Sequence, residues 1–140
     1  MFFKKMKTAL DLEVEAVNEF YCRVGYPHRA HRGDSIVVAM AATEIMGAVR
    51  LVREQGTQVL RGMQVDPRYH GQGVGTEMLR LLDQFFTPLC FCIPYEHLST
   101  FYAQARFRVA EPRDVPEFLL ERYFEYLKEN PDQKYVIMVR

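Results

Sequence analysis

Tryptophan is absent from the 140 residues, and cysteine occurs only three times, at Cys22, Cys90 and Cys92. So few cysteines, odd in number, make no disulfide framework, and they read as free thiols of a reducing compartment, the cytoplasm. An excess of charge of either sign is lacking too: Lys and Arg total 18 and Asp and Glu total 18. Without a basic surplus to neutralise several phosphates, nucleic acid is excluded as the main partner. Long hydrophobic runs are missing, since the longest, residues 36–42, is far too short to cross a bilayer, which excludes a membrane span. The opening Met1-Phe2-Phe3-Lys4-Lys5 has neither an apolar core nor a small-residue cleavage site, so no secretory signal is expected. Internal repeats, low-complexity tracts and linkers are also absent.

What is present is apolar content, 49% of the residues, enough for a chain of this length to bury one core. A single domain over residues 1–140 is expected. Residues 2–7 read as an edge strand. Thr8 with Asp11 resembles a capping box, and Leu10, Val14, Val17, Phe20, Tyr21 and Val24 repeat at helical spacing until Gly25-Tyr26-Pro27 stops them. A loop rich in His and Arg follows, residues 28–34. Residues 36–41 form a continuous apolar, β-branched run, and strands over 45–53 and 58–65 join around Gln55-Gly56-Thr57 as a hairpin. Met78, Leu79, Leu82, Phe85 and Phe86 predict an amphipathic helix beyond the glycines at 71–75. Residues 89–93 read as a buried strand, and Pro94 opens a helix carrying Leu98, Phe101, Tyr102 and Ala105. Residues 107–110 read as a further strand. Asp114-Val115-Pro116-Glu117 reads as a second capping box for a helix to Lys128, and residues 135–140 as a closing strand. The order gives an α/β layer, a mixed sheet covered by helices.

The densest chemistry lies in Val65-Asp66-Pro67-Arg68-Tyr69-His70-Gly71-Gln72-Gly73-Val74-Gly75-Thr76, between a strand and a helix. Glycines let the backbone take positive φ and bring its amides close to a ligand. The unsatisfied N–H groups of the next helix's first turn, with its dipole, make an anion site suited to a pyrophosphate. Two familiar phosphate loops are excluded. The dinucleotide fingerprint needs a glycine where Thr76 stands, and no Gly-Lys-Ser/Thr follows to complete a Walker loop.

The run His-Gly-Gln-Gly-Val-Gly after a strand ending Val-Asp-Pro instead resembles the acetyl-CoA loop of the GNAT superfamily of N-acyltransferases, whose usual pattern is Gln/Arg-x-x-Gly-x-Gly/Ala. Gly73 and Gly75 take the two small-residue positions, and His70 departs from the first. Leu98-Ser99-Thr100-Phe101-Tyr102-Ala103-Gln104-Ala105-Arg106-Phe107 is similar to that family's helix ending Phe-Tyr-x-x-x-Gly-Phe, with Arg106 in place of the glycine and Tyr95 where an asparagine is common. One helix and one strand separate the two segments, as in the family, and the resemblance is strong over residues 45–107. It implies the acyl-CoA N-acyltransferase fold, α/β (α+β) with a mixed, largely antiparallel central sheet and helices on both faces.

The resemblance also implies an N-acetyltransferase in which a primary amine of a small molecule or peptide attacks acetyl-CoA, the co-substrate, directly within a ternary complex. Holding both reactants in one orientation supplies much of the rate gain in such a scheme. In this family the strand before the loop is bulged, and its amides, here Met63 and Val65 flanking Gln64, pair with the pantetheine arm while one stabilises the oxyanion. The amides of His70, Gly71, Gln72, Gly73, Val74, Gly75 and Thr76 would hold the pyrophosphate, His70 by its backbone alone. Tyr102 matches the family's general acid: a phenol of pKa about 10 is protonated at neutral pH and can donate to a thiolate whose thiol has pKa about 8.5. As a member of the apolar stripe with Leu98 and Phe101, Tyr102 is also a core residue, and a buried ring with its hydroxyl in a cleft serves both roles.

The base is not readable. Deprotonating an amine of pKa about 10.4 at pH 7 costs about 4.6 kcal/mol, so a base would help, yet residues 58–65 contain no carboxylate. Glu44, Glu54, His28 and His31 are the remaining candidates, and a solvated loop residue is the simpler reading of each. Cys90, Cys92 and His97 lack further ligands at metal spacing, so no metal is expected and buried thiols are the simpler reading. Arg50, Arg53 and Arg61 fall on the hairpin strands, where one facing a cleft would pair with an acidic acceptor or coenzyme phosphate and outward-facing ones would be solvated. The rival to an enzyme is an acyl-CoA-binding sensor or scaffold without turnover. Sheets of this kind often pair, so a homodimer is among the expectations.

Overall fold

Alternation of apolar side chains across four strands organises Met1–Thr87, the first of two units in the computed structural model of residues 1–140. Strand β1 (Phe2–Met6) leads to helix α1 (Asp11–Arg23), then to β2 (Ser35–Ala41), β3 (Glu44–Glu54) and β4 (Thr57–Val65), and finally to helix α2 (Val74–Leu81) with a 3-10 turn behind it. Each strand pairs antiparallel with the next, β1 to β2, β2 to β3 and β3 to β4. Gln55 and Gly56 both take positive φ, 48° and 77°, as the two central residues of a type I′ turn must, and Glu54 pairs with Thr57 across them.

The two faces of this sheet are covered by different helices. Val17, Phe20 and Tyr21 of α1 pack with Ile36, Val38, Met40 and Ala48, alternate residues of β2 and β3. Gly47 lies one residue from Ala48 and so faces the other way; a Cβ there would sit 3.0 Å from Met78 Cε and 3.3 Å from Val74 Cγ1, so α2 covers that face. Full burial of each such aliphatic or aromatic side chain contributes about 1.5–3 kcal/mol. Gln58, buried on β4, donates to Phe85 O and accepts from Thr87 N, tying the chain after α2 to the sheet.

The N-terminus of α1 departs from the sequence expectation, and its C-terminus follows it. The box expected at Thr8 and Asp11 does not form, because the helix begins at Asp11; Glu13 instead accepts the Leu10 amide at 2.9 Å. Gly25, at φ 79°, does stop the helix. Its amide returns to Cys22 O and that of Tyr26 to Tyr21 O, the paired bonds of a Schellman motif. The loop that follows is pinned by buried Asn18, whose amide group both donates to and accepts from the Ala30 backbone.

Residues Pro88–Arg140 make the second unit. It contains β5 (Cys90–Cys92), α3 (Ser99–Ala103), β6 (Arg108–Val109), α4 (Glu117–Glu129) and β7 (Met138–Val139), with β7 antiparallel to both β5 and β6. Pro94 does not open a helix. Its carbonyl accepts the Val136 amide, which extends the β5–β7 ladder, and α3 starts only at Ser99 after a 3-10 turn. The second capping box also fails: Asp114 lies in a 3-10 turn of its own, and the Pro116 carbonyl opens α4 by accepting from Leu119 and Leu120.

Candidate functional site

Gly62 breaks the β3–β4 ladder. Arg50 stands opposite Arg61 and Ala48 opposite Gln64, so two residues of β4, Gly62 and Met63, face Val49 alone. This is a β-bulge, and Gly62 takes the left-handed conformation that such bulges ask of glycine, φ 68°. No other residue fits there, since a Cβ would lie 2.2 Å from Tyr21 Oη. That hydroxyl donates to Gly62 O at 2.8 Å, replacing the ladder partner that the bulge removes. Beyond the bulge, Asp66 gives its amide to Met46 O on β3 at 2.8 Å. N–H direction alternates along a strand, so Val65 points its amide to the opposite edge of β4.

The turn after β4 is wound around Asp66. Its carboxylate accepts the Arg68 amide at 2.9 Å and the Arg68 guanidinium at 2.8 Å, and the same guanidinium reaches Glu44 at 2.8 Å. The hydrogen bonds from the Arg68 side chain, then from its amide, lower the Asp66 pKa to about 2. His70 Nε2 lies 2.8 Å from Val65 O and, as the N–H tautomer, donates to it, while the His70 amide turns back to Pro67 O at 3.3 Å. His70 therefore holds the strand's end to the turn. Gly71 and Gly73 follow, both at φ 77°, and Gly73 is the N-cap of α2. Its carbonyl accepts the Glu77 amide, so the amides of Val74, Gly75 and Thr76 precede the helix's first internal bond. An anion held there meets the positive end of the helix dipole.

Tyr102 belongs to the second unit. It lies in α3, 5% exposed, its ring set edge-on to Phe101 and Phe107 at 5.0 and 6.1 Å between centroids. Arg106, where the sequence departs from the family's glycine, adopts φ 69°, a conformation that glycine takes without strain. Among the base candidates, Glu44 is held between Arg68 and Arg23, and Glu54 is paired with Arg61 at 3.2 Å. The His28 ring lies edge-on to Tyr26, and His31 gives its amide to Asp34. None is assigned as base. Cys90 and Cys92 are buried, and burial pushes the Cys92 thiol well up from its usual range, against a nucleophilic role. Arg53 bonds the Gly56 carbonyl at the hairpin turn, so of the three hairpin arginines only Arg50 is enclosed in the core.

Sequence reasoning missed one group, the contact of Tyr21 and Arg50 with Gly62. Tyr21 reads as one more member of α1's apolar stripe. The available signal was Gly62 itself, since a glycine inside a strand marks a bulge or a close approach.

The acetyltransferase (GNAT) domain family model matches residues 32–109, more than half of the chain. No curated protein sequence gives a significant match. Among solved structures, an acyl-CoA N-acyltransferase from Pseudomonas aeruginosa superposes with a TM-score of 0.69 at 16% identity, over 99% of this chain and 98% of that one. The ribosomal-protein-S18-alanine N-acetyltransferase from Escherichia coli gives 0.63 at 12% identity, over 99% and 92%. N-acetylglutamate synthase from Neisseria gonorrhoeae, solved with coenzyme A and N-acetyl-glutamate, gives 0.66 at 15% identity; all of this chain matches, but only 35% of that longer one. At such identities the likeness establishes the fold, the acyl-CoA N-acyltransferase fold expected from the sequence. With a bulged strand running through a glycine turn into a helix N-terminus, and the family model lying across that segment, the chain belongs to the GNAT acetyltransferase family.

Proposed function

We propose that residues 1–140 act as one cytoplasmic N-acetyltransferase domain that takes acetyl-CoA and a primary amine of a small molecule or peptide, the amine attacking the thioester directly. One observation carries this reading: β4 is bulged at Gly62 and continues, through Gly71 and Gly73 in positive φ, to the N-terminus of α2. That single stretch supplies strand amides for an extended arm and helix-terminal amides for its phosphates. In this reading Met63 and Val65 pair with pantetheine, with Gln64 between them, and one of the two amides stabilises the oxyanion. Gly71, Gln72, Gly73, Val74, Gly75 and Thr76 bind pyrophosphate through their backbone, and His70 keeps the turn on the strand. Tyr102 protonates the leaving thiolate.

Fold relatives solved with coenzyme A and N-acetyl-glutamate, or with acetyl coenzyme A, support the choice of cofactor. A second reading, an acyl-CoA sensor without turnover, is favoured by the lack of any carboxylate in residues 58–65. Thiol release from acetyl-CoA, measured over a panel of small amines and peptide N-termini, decides between them. Turnover with any amine supports the enzyme. Coenzyme binding with no turnover across the panel supports the sensor, and failure to bind coenzyme at all removes both.

A further inference from the structure

We propose that Tyr21 is a positioning residue: through its hydroxyl it aims the Met63 amide at the acyl donor. The inference rests on the acetyltransferase reading and adds a residue outside the glycine turn and outside Tyr102. Tyr21 Oη donates to Gly62 O at 2.8 Å. Gly62 O and the Met63 N–H belong to the same peptide group, which is planar and trans, so they point in opposite directions. Whatever fixes the one carbonyl fixes the other end of the plane. Inside a regular ladder β3 would do this, but at the bulge Gly62 and Met63 share a single partner residue, Val49. Tyr21, from a helix 41 positions away in sequence, takes over the task.

Two features keep the hydroxyl pointing at Gly62. The first is steric. Tyr21 Oη and Cζ would lie 2.2 and 2.9 Å from a Cβ on residue 62, so the phenol fills the place that a side chain would need. The second is electrostatic. Arg50, 1% exposed, lies beside Tyr21 with its guanidinium carbon 5.9 Å from the ring centroid, and its Nε is 3.2 Å from that same Cβ position. The Arg50 side chain hydrogen-bonds the Tyr21 hydroxyl oxygen, while its Nη1 faces Asp34 Oδ2 at 3.5 Å. A hydroxyl next to a buried cation turns its oxygen toward the charge and its proton away from it. The proton of Tyr21 is thereby directed to Gly62 O. Burial raises the Tyr21 pKa more than Arg50 lowers it, so the group stays a donor throughout the neutral range.

The test compares Tyr21→Phe with Val17→Ala, which thins the same helix's packing away from the bulge. In the free protein, the Met63 amide resonance is expected to shift in Tyr21→Phe and to stay in place in Val17→Ala. With acetyl-CoA and an accepted amine, kcat for Tyr21→Phe is expected to fall about tenfold or more, as small misplacements of reacting groups do. KM for the amine should stay unchanged, and Val17→Ala should keep the wild-type kcat. An unmoved Met63 amide, or equal kcat losses in the two variants, overturns the inference. Lack of turnover in the wild type overturns the acetyltransferase reading instead, and the amide comparison in the free protein still decides whether Tyr21 sets the bulge.

Discussion

Arg68 closes on Asp66 from two directions, its amide at 2.9 Å from Oδ1 and its guanidinium at 2.8 Å from Oδ2. The carboxylate thus caps the turn that carries the chain from β4 toward the glycines, and it accepts most strongly when ionised. Its pKa in the folded chain is lowered to about 2 from an ordinary 3.8. A lowered carboxyl pKa stabilises the fold above the unfolded value, and that stabilisation is lost as pH falls through the folded one. The contribution of this cap should therefore be complete above about pH 4 and disappear between about pH 4 and pH 2. Urea unfolding across that window should show a steeper loss for wild type than for Asp66→Asn, which has no carboxylate to protonate. Parallel curves for the two proteins would place the acid sensitivity elsewhere.

Gly73→Asp should abolish coenzyme A binding and leave the fold intact. A Cβ at residue 73 meets nothing within 4 Å, and φ 77° is a conformation that Asp and Asn tolerate better than other residues with side chains. The added charge, however, would sit at the N-cap of α2, where the pyrophosphate is proposed to lie. Gly73→Asn carries the same bulk without the charge, so it should keep much of the affinity. Calorimetry separates the two effects. Equal affinity in Gly73→Asp and wild type would remove the phosphate site from this turn.

Arg106→Gly should stabilise the protein. A residue with a Cβ held at φ 69° costs about 1–2 kcal/mol relative to the right-handed region. Glycine removes that cost but loses about 0.5–1 kcal/mol through the freedom of its unfolded chain. The net expectation is a gain of about 0.5–1 kcal/mol, read as a higher urea midpoint at unchanged slope. A lower midpoint would mean that the Arg106 side chain makes a contact worth more than the strain.

Much of the fold is legible in the sequence, and the rest is not, for physical reasons. The strands at 35–65 were legible because their apolar runs are interrupted only by turn residues, and Gln55-Gly56 gave a two-residue hairpin with both φ values positive. The glycine turn was legible because glycine has few other reasons to recur at 71, 73 and 75. Neither expected capping box forms, since Thr8 and Asp114 have the right residue types at the right spacing but lie outside the helices that follow them. A capping side chain is one of several ways to satisfy the first amides of a helix; the Pro116 carbonyl takes that place at α4. Gly62 inside a strand signals a bulge or a close approach, but nothing in the sequence says that Tyr21 is the group approaching, because a contact across so many residues leaves no periodic trace.

Tyr102→Phe should lower turnover while leaving coenzyme affinity nearly unchanged. The substitution keeps the ring, and with it the packing against Phe101 and Phe107 within the second unit. Stability should drop by no more than about 1 kcal/mol, the net worth of one hydroxyl's hydrogen bond. Loss of a proton donor costs far more in rate, about a hundredfold or more. A leaving-group comparison isolates the role. Acetyl thioesters of more acidic thiols need no proton on departure, so the gap between Tyr102→Phe and wild type should narrow as the thiol becomes more acidic. A gap that stays constant across such donors would assign Tyr102 to packing alone.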